Sequence, residues 1–202
     1  MSLRLGVVVL AAGFGRRFGA ESKLHQPLAG QPVLAWTLNT LAQLKASAAV
    51  VVVAPEDRAA AEIARTAGFT PVVNPARAEG MGRSIASGVA ALPAGLHAVL
   101  IALGDMPNVQ LKTCHALLAA FAAGDAARIV LPTYEGQRGH PVVFGVDHFP
   151  ALRALDGDTG ARSILNAQDH AVLALAVTDP GVLMDIDTPD DLTRLEAAQG
   201  PR

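Results

Sequence analysis

The sequence predicts an α/β fold with a mostly parallel central sheet, and two observations carry that expectation. Short β-branched or apolar runs alternate with alanine- and leucine-rich segments of helical length, which argues for strands covered by helices on both faces. The first apolar run also ends in a glycine-rich turn containing Gly13, Gly15 and Gly19, a sharp exit from strand towards helix. The hydrophobic fraction of 51% against 17% charged residues points to a packed globule rather than disorder.

The elements follow in order along the chain. Leu5–Leu10 reads Leu-Gly-Val-Val-Val-Leu and is a buried strand; Val33–Leu44 is leucine-rich and helical. Val50–Ala54 is a valine strand, Glu56–Ala67 an alanine-rich helix, and Pro71–Val73 a short strand. Met81–Leu92 forms a helix before the apolar strand Ala98–Leu103, and Val109–Ala123 a helix with Leu111, Leu117, Leu118 and Phe121 facing the core. Strands at Arg128–Pro132, Pro141–Phe144 and Ala171–Val177 surround a helix at Gly160–Ala167. The proline at its start opens a last helix, Pro189–Ala197. No repeat, linker or shift of composition divides the chain, so 202 residues are expected to make one domain, 1–202. The architecture is a single-domain, Rossmann-like sheet.

The formal net charge of −2 offers no general field for nucleic acid, so anion binding has to come from local clusters. No apolar run approaches the roughly 18 residues needed to span a bilayer, and the start Met-Ser-Leu-Arg-Leu-Gly lacks a signal-peptide pattern. Cys114 is the only cysteine, which rules out an internal disulfide and fits a reducing cytoplasm. A nucleophilic Cys114 assisted by His115 is disfavoured, because helix neighbours point about 100° apart. No membrane and no nucleic-acid partner are expected, and the location expected is cytoplasmic.

The turn after the first strand, Leu10-Ala-Ala-Gly-Phe-Gly-Arg-Arg-Phe-Gly-Ala-Glu-Ser-Lys23, concentrates glycines and the cations Arg16, Arg17 and Lys23. Glycines bring backbone N–H groups close to an anion and crowded cations need one, so a nucleoside triphosphate is the expected ligand. The dinucleotide fingerprint does not fit, since the third glycine is one residue late and no acid follows at about 20 residues. A Walker A loop fails too, because Lys23 stands four residues past Gly19 and precedes Leu24.

Ligands of open sheets gather at the carboxyl ends of strands. Asp105, in Gly104-Asp105-Met106-Pro107 after the strand Ala98–Leu103, stands where a carboxylate can hold Mg²⁺ against a triphosphate, although the same spacing suits a helix N-cap. Asp185 and Asp187 alternate along an extended segment and fall on one side, so both can face the same site. Thr188 suits the cap of the helix at Pro189, and Asp190 and Asp191 its dipole.

These motifs together resemble the nucleotidyltransferases of molybdenum cofactor maturation, and within them the molybdenum cofactor cytidylyltransferases. The resemblance runs from Leu10 to about Leu192 and rests on the glycine turn to Lys23, Gly80-Met81 with Ser84, Gly104-Asp105-Met106-Pro107, Gly139-His140-Pro141, and Gly157-Asp158-Thr159-Gly160-Ala161-Arg162 with Asp185-Ile-Asp-Thr-Pro189. It implies the nucleotide-diphospho-sugar transferase type of fold and transfer of a nucleoside monophosphate to the terminal phosphate of a pterin cofactor. Ala11-Ala12-Gly13, in place of Ala-Gly-Gly, tips the base towards cytosine, hence CTP and molybdopterin (molybdenum cofactor) as substrates. The partner such an enzyme would serve is a molybdenum hydroxylase or its insertion chaperone.

Carried over residue by residue, Arg17, Lys23 and Asp105 are catalytic, and Asp105 and Asp187 hold Mg²⁺. Ala11, Ala12, Gly13, Gly15, Arg16, Gly80 and Ser84 bind the nucleotide, with Ser84 equally readable as an exposed or capping helix residue. Arg138, His140, Asp158 and Arg162 face the acceptor; Asp158 and Arg162 either pair with each other or Arg162 meets the acceptor directly. Two stretches depart from the pattern, Leu24-His25-Gln26-Pro27 and Gly82-Arg83, and Arg83 adds a cation that alters base choice or binds a further phosphate. Two other readings stand beside the cytidylyltransferase: the same fold with a sugar or polyol phosphate acceptor, and a non-enzymatic carrier of the finished cofactor.

Overall fold

A computed structural model of the protein describes residues 3–13 and 22–199. The core is an eight-stranded sheet whose main path runs β10-β7-β9-β6-β1-β4-β5. Its strands are β1 (Leu5–Ala11), β4 (Ala48–Val53), β5 (Thr70–Val73), β6 (Ala98–Leu103), β7 (Ile129–Tyr134), β9 (Val142–Gly145) and β10 (Val172–Ala176), with β8 (Gln137–Arg138) pairing β7 off that path. A separate hairpin joins β2 (Pro27–Leu28) to β3 (Gln31–Pro32). Parallel pairs join β1 to both β4 and β6, β4 to β5, and β7 to β10. The predicted fold class is the one found.

Alternation along the strands builds two apolar layers. Val7 and Val9 of β1 and Leu100 of β6 point to one face, which packs against α1 (Val33–Ala42), α2 (Arg58–Thr66) and α4 (Leu111–Ala122) through Leu38, Ala64 and Leu117. Val8, Val99 and Ile101 point to the other, under α3 (Met81–Ala90), α5 (Phe149–Arg153) and α6 (Arg162–Ala167) through Val89, Leu152 and Ile164. Strands buried on both faces read as the continuous apolar runs seen in the sequence. Cys114 is fully buried in the first layer, and burial pushes its thiol pKa up to about 12, which leaves an inert thiol.

Three features depart from the expected layout. β9 runs antiparallel between β6 and β7, because only a tight β7–β8 hairpin and the Gly139-His140-Pro141 link separate it from β7, too short for a parallel crossover. Glu135 (φ 48°) and Gly136 (φ 78°) both take positive φ in that hairpin turn, the geometry a two-residue hairpin needs. The β2–β3 hairpin and α5 are elements the sequence reading did not find.

The chain end from Asp179 to Asp187 lies as a strap across the carboxyl ends of the central strands. Asp179, 1% exposed, accepts from the backbone N–H and side chain of Gln110, the Thr113 hydroxyl and the Gly181 N–H. His140 N–H donates to the Val182 carbonyl and Ile186 N–H to the Asp105 carbonyl, at 2.9 and 3.0 Å. Ile186 itself is buried with Leu28, Val33 and Leu195, which seats α7 (Pro189–Gln199) on the small hairpin. With Ile186 pointing inwards, its neighbours Asp185 and Asp187 turn the opposite way. The Thr188 and Asp191 side chains close the start of α7, Asp191 accepting from the N–H groups of Asp187 and Thr188 and from the Thr188 hydroxyl, as the cap reading expects.

Candidate active site

The sheet order reverses at β1, which has β4 on one side and β6 on the other. Chain segments leaving neighbouring strands there diverge and open a crevice. Gly104 sets its depth: the Gly104 N–H donates to the Leu10 carbonyl at 2.9 Å, and a Cβ at this position would meet Leu34 Cδ1 at 2.9 Å. The resulting cleft, of about 640 Å³, is lined by the backbone strip Ala11, Ala12 and Gly13, by Lys23, Asp105, Asp185 and Asp187, and by Arg77, Gly80, Ser84 and Asp158. Gly15, Arg16 and Arg17 lie outside the described residues.

At one end, Asp105, Asp185 and Asp187 each place a carboxylate oxygen within 4.8 Å of the others. Lys23 stands among them, its Nζ 2.6 Å from Asp105 Oδ2 and 2.6 Å from Asp187 Oδ1. Partial burial pulls the lysine pKa down, but the Asp105 charge and then hydrogen bonds to Asp105 and Asp187 outweigh it, and the pKa lies above its ordinary value. Partial desolvation, followed by the charges of Asp187 and Asp105, holds the Asp185 carboxyl above the usual carboxylate range. Crowded carboxylates that already draw in an ammonium form an all-oxygen donor set, and they suit a divalent cation. Lys23 therefore sits against the carboxylates suited to a metal, and Asp185 joins the two aspartates singled out for metal.

Of the residues expected to bind nucleotide, Ala11, Ala12, Gly13, Gly80 and Ser84 line the cleft, the last two for reasons the sequence did not show. Gly80, at φ 116° and ψ 178°, lies so close to the 156–158 loop that a Cβ would come within 2.3 Å of the Gly157 carbonyl carbon and oxygen. Its role is thus close packing of two loops at the rim. Gly80→Ala is expected to cost about 1–3 kcal/mol through a backbone region that only glycine occupies comfortably, and to raise the KM for nucleotide; thermal denaturation and a nucleotide titration check both. Ser84 is buried rather than exposed or capping, and accepts a 3.0 Å hydrogen bond from Asn74 Nδ2. Arg83 binds Glu79 at 2.7 Å and Asp156 at 3.3 Å, so the cation that departs from the family pattern ties α3 to the same loop. His25 contacts Asp57 at 2.9 Å, which in turn caps α2.

The acceptor-facing set divides. Asp158 lines the cleft, whereas among the described residues no ion pair joins Asp158 to Arg162; the expected alternative of a mutual pair is corrected. The exposed Arg138 pairs with Asp169 at 3.0 Å, the β7–β8 hairpin carrying it outwards. His140 Nδ1 is buried and has no hydrogen-bond partner among the described residues. Burial pulls the imidazole pKa from 6.5 down to about 4, with lesser contributions from Asp185 upwards and Arg162 downwards. The folded protein thus resists a proton that the unfolded chain accepts below 6.5, so His140 detracts from stability as pH falls through that value towards 4. NMR is expected to show its ring resonances unchanged between about pH 8 and about pH 5.5; a midpoint near 6.5 would contradict this burial.

Residues 7–172 match the family described as the MobA-like NTP transferase domain. The chain belongs to that family. This MobA-like chain is 30% identical over 199 residues to the nicotine blue oxidoreductase of Paenarthrobacter nicotinovorans, a match covering 93% of this chain and 94% of that protein. It is 40% identical over 133 residues to the bifunctional protein GlmU of Leifsonia xyli subsp. xyli, covering 64% of this chain and only 27% of that longer protein. The crystal structure of Rv0371C from Mycobacterium tuberculosis H37Rv in complex with manganese superposes with a TM-score of 0.78 at 28% identity, covering 98% of this chain and 100% of that one. A divalent cation in that relative accords with the donor set of Asp105, Asp185 and Asp187.

Arg77, which lines the cleft, and the buried Asn74, which donates to Ser84 behind it, are residues the sequence reading missed. Each follows β5 as a single polar residue outside any recognisable motif, and only the fold brings them beside Ala12 and Ser84.

Proposed function

We propose that this MobA-like protein, acting as one nucleotidyltransferase domain in the cytoplasm, transfers CMP from CTP to the terminal phosphate of molybdopterin and releases pyrophosphate. The observation that carries the reading is the convergence of Lys23 with Asp105, Asp185 and Asp187 in one cleft with the backbone strip Ala11, Ala12 and Gly13. Mg²⁺ held by these three carboxylates would neutralise charge at the α-phosphate.

The remaining work falls to the chain itself. An acceptor phosphate oxygen attacks the α-phosphorus, a new P–O bond forms, and the bond to the β-phosphate bridging oxygen breaks as pyrophosphate departs. The nucleophile is already an anion, so the barrier lies in positioning and charge repulsion, which cations relieve. Lys23, with Arg16 and Arg17 from the glycine turn, offsets charge on the triphosphate and on the leaving group. The backbone of Ala11, Ala12 and Gly13 lies along the base. Asp158, His140 and Arg162 face the acceptor, with His140 a neutral hydrogen-bonding group rather than a base. The client is a molybdenum hydroxylase or its insertion chaperone.

One relative is named as an oxidoreductase. The glycine spacing of this turn, with no acid about 20 residues on, gives that reading no support as a dinucleotide site. CTP radiolabelled at the α-phosphate, incubated with Mg²⁺ and purified molybdopterin, is expected to pass its label to the acceptor. Label at the γ-phosphate should leave in pyrophosphate; its appearance on the acceptor would show phosphoryl transfer and reject the proposal.

A further inference from the structure

We propose that Lys23 is a tethered counter-ion of the carboxylate cluster: its ammonium competes with the divalent cation for Asp105 and Asp187, and yields them when a triphosphate draws it away. That the triphosphate is a nucleotide rests on the nucleotidyl-transfer reading above. Lys23 Nζ stands 2.6 Å from Asp105 Oδ2 and 2.6 Å from Asp187 Oδ1, on two of the three carboxylates that meet within 4.8 Å. Mg²⁺ takes oxygens at about 2.1 Å, so a cation on either of these oxygens would lie within about 5 Å of the ammonium. Like charges that close repel, and water screens them poorly where the Lys23 and Asp105 side chains are 14% and 18% exposed. The ammonium also cancels one of the three negative charges that would hold the cation.

The root of Lys23 is anchored. Leu24 is buried in the first apolar layer, His25 contacts Asp57 at 2.9 Å, and the His25 N–H donates to the Ser22 carbonyl at 3.0 Å. The stretch Leu24-His25-Gln26-Pro27, which departs from the family pattern, thus fixes where the lysine starts, and releasing the carboxylates takes only a swing of its four-carbon stem. Lys23 and the three aspartates line one cleft. A triphosphate there offers anionic oxygens to the ammonium and further oxygens to Mg²⁺, which favours phosphates together with one or two carboxylates. Metal and triphosphate therefore bind tightly together, whereas the metal alone meets carboxylates already engaged.

The test is Mn²⁺ binding to the full chain, read as the enhancement of water-proton relaxation that a protein-held ion gives, for wild type, Lys23→Met and Lys23→Arg. Methionine keeps an apolar stem without the charge, and arginine keeps a cation. Lys23→Met is expected to tighten Mn²⁺ alone by at least about tenfold, and Lys23→Arg to stay within about threefold of wild type. Adding inorganic tripolyphosphate should close or reverse the gap between wild type and Lys23→Met, because the wild-type ammonium then has another anion. Mn²⁺ held no more tightly by Lys23→Met than by wild type would overturn the proposal, as would equal tightening in Lys23→Arg or a gap that tripolyphosphate leaves unchanged. If tripolyphosphate closes the gap and CTP does not, the nucleotidyl-transfer reading fails while the competition at Asp105 and Asp187 stands.

Discussion

Asp105→Ala lowers turnover by at least about 10²-fold while acceptor binding survives. Asp105 is fixed more firmly than a loop carboxylate: Gly104 N–H bonds the Leu10 carbonyl, Thr37 Oγ1 donates to the Gly104 carbonyl, and the Asp105 carbonyl receives Ile186 N–H. The alanine variant keeps that backbone and deletes the charge. It removes one of the three metal donors and one of the two carboxylates that hold Lys23, so it acts on the cation site and on the orientation of the ammonium together. Steady-state kinetics with saturating acceptor, alongside Mn²⁺ titration of the variant, separate the two effects. A variant with full activity would remove Asp105 from the mechanism.

The largest stability effect is expected at Asp179, far from any reacting atom. Its carboxylate is buried and accepts four hydrogen bonds, from Gln110 twice, Thr113 and Gly181. Asp179→Ala leaves those donors without partners, and losing one side of a buried charged network costs about 3–5 kcal/mol. That corresponds to a drop of roughly 10 °C in Tm for a chain of this size. Denaturant unfolding should show a lower midpoint at unchanged slope. Because the strap anchored by Asp179 carries Asp185 and Asp187 to Asp105, divalent-metal affinity should fall as well. A loss below about 1 kcal/mol would mean that Ile186 and α7 hold the strap unaided.

The parts of this site that rest on local chemistry were readable from the residues. The apolar run Leu5–Leu10, the glycines after it and carboxylates placed just past strands each have a local physical reason, and Asp105 and Asp187 do come together; that Lys23 pairs with both of them was not read from the sequence, which placed it on the triphosphate. Asp185 was visible as a partner through the alternation with Ile186. What escaped depends on contacts between distant segments. Nothing near Asp179 in the sequence reveals that it will bind Gln110 and Thr113, and Arg77 gains meaning only once β1 and β5 flank β4. The antiparallel course of β9 follows from the short link after β7, yet the alternation of apolar runs carries no sign of strand direction. The inward placement of Ser84 depends on Asn74, ten residues earlier in the chain in the link that follows β5.

Pyrophosphate release with Mg²⁺ and purified molybdopterin, measured separately for CTP, GTP, ATP and UTP against acceptor-free controls, tests the central claim most directly. The account predicts release that requires the acceptor and favours CTP; no release with any of the four, with acceptor present, would contradict it.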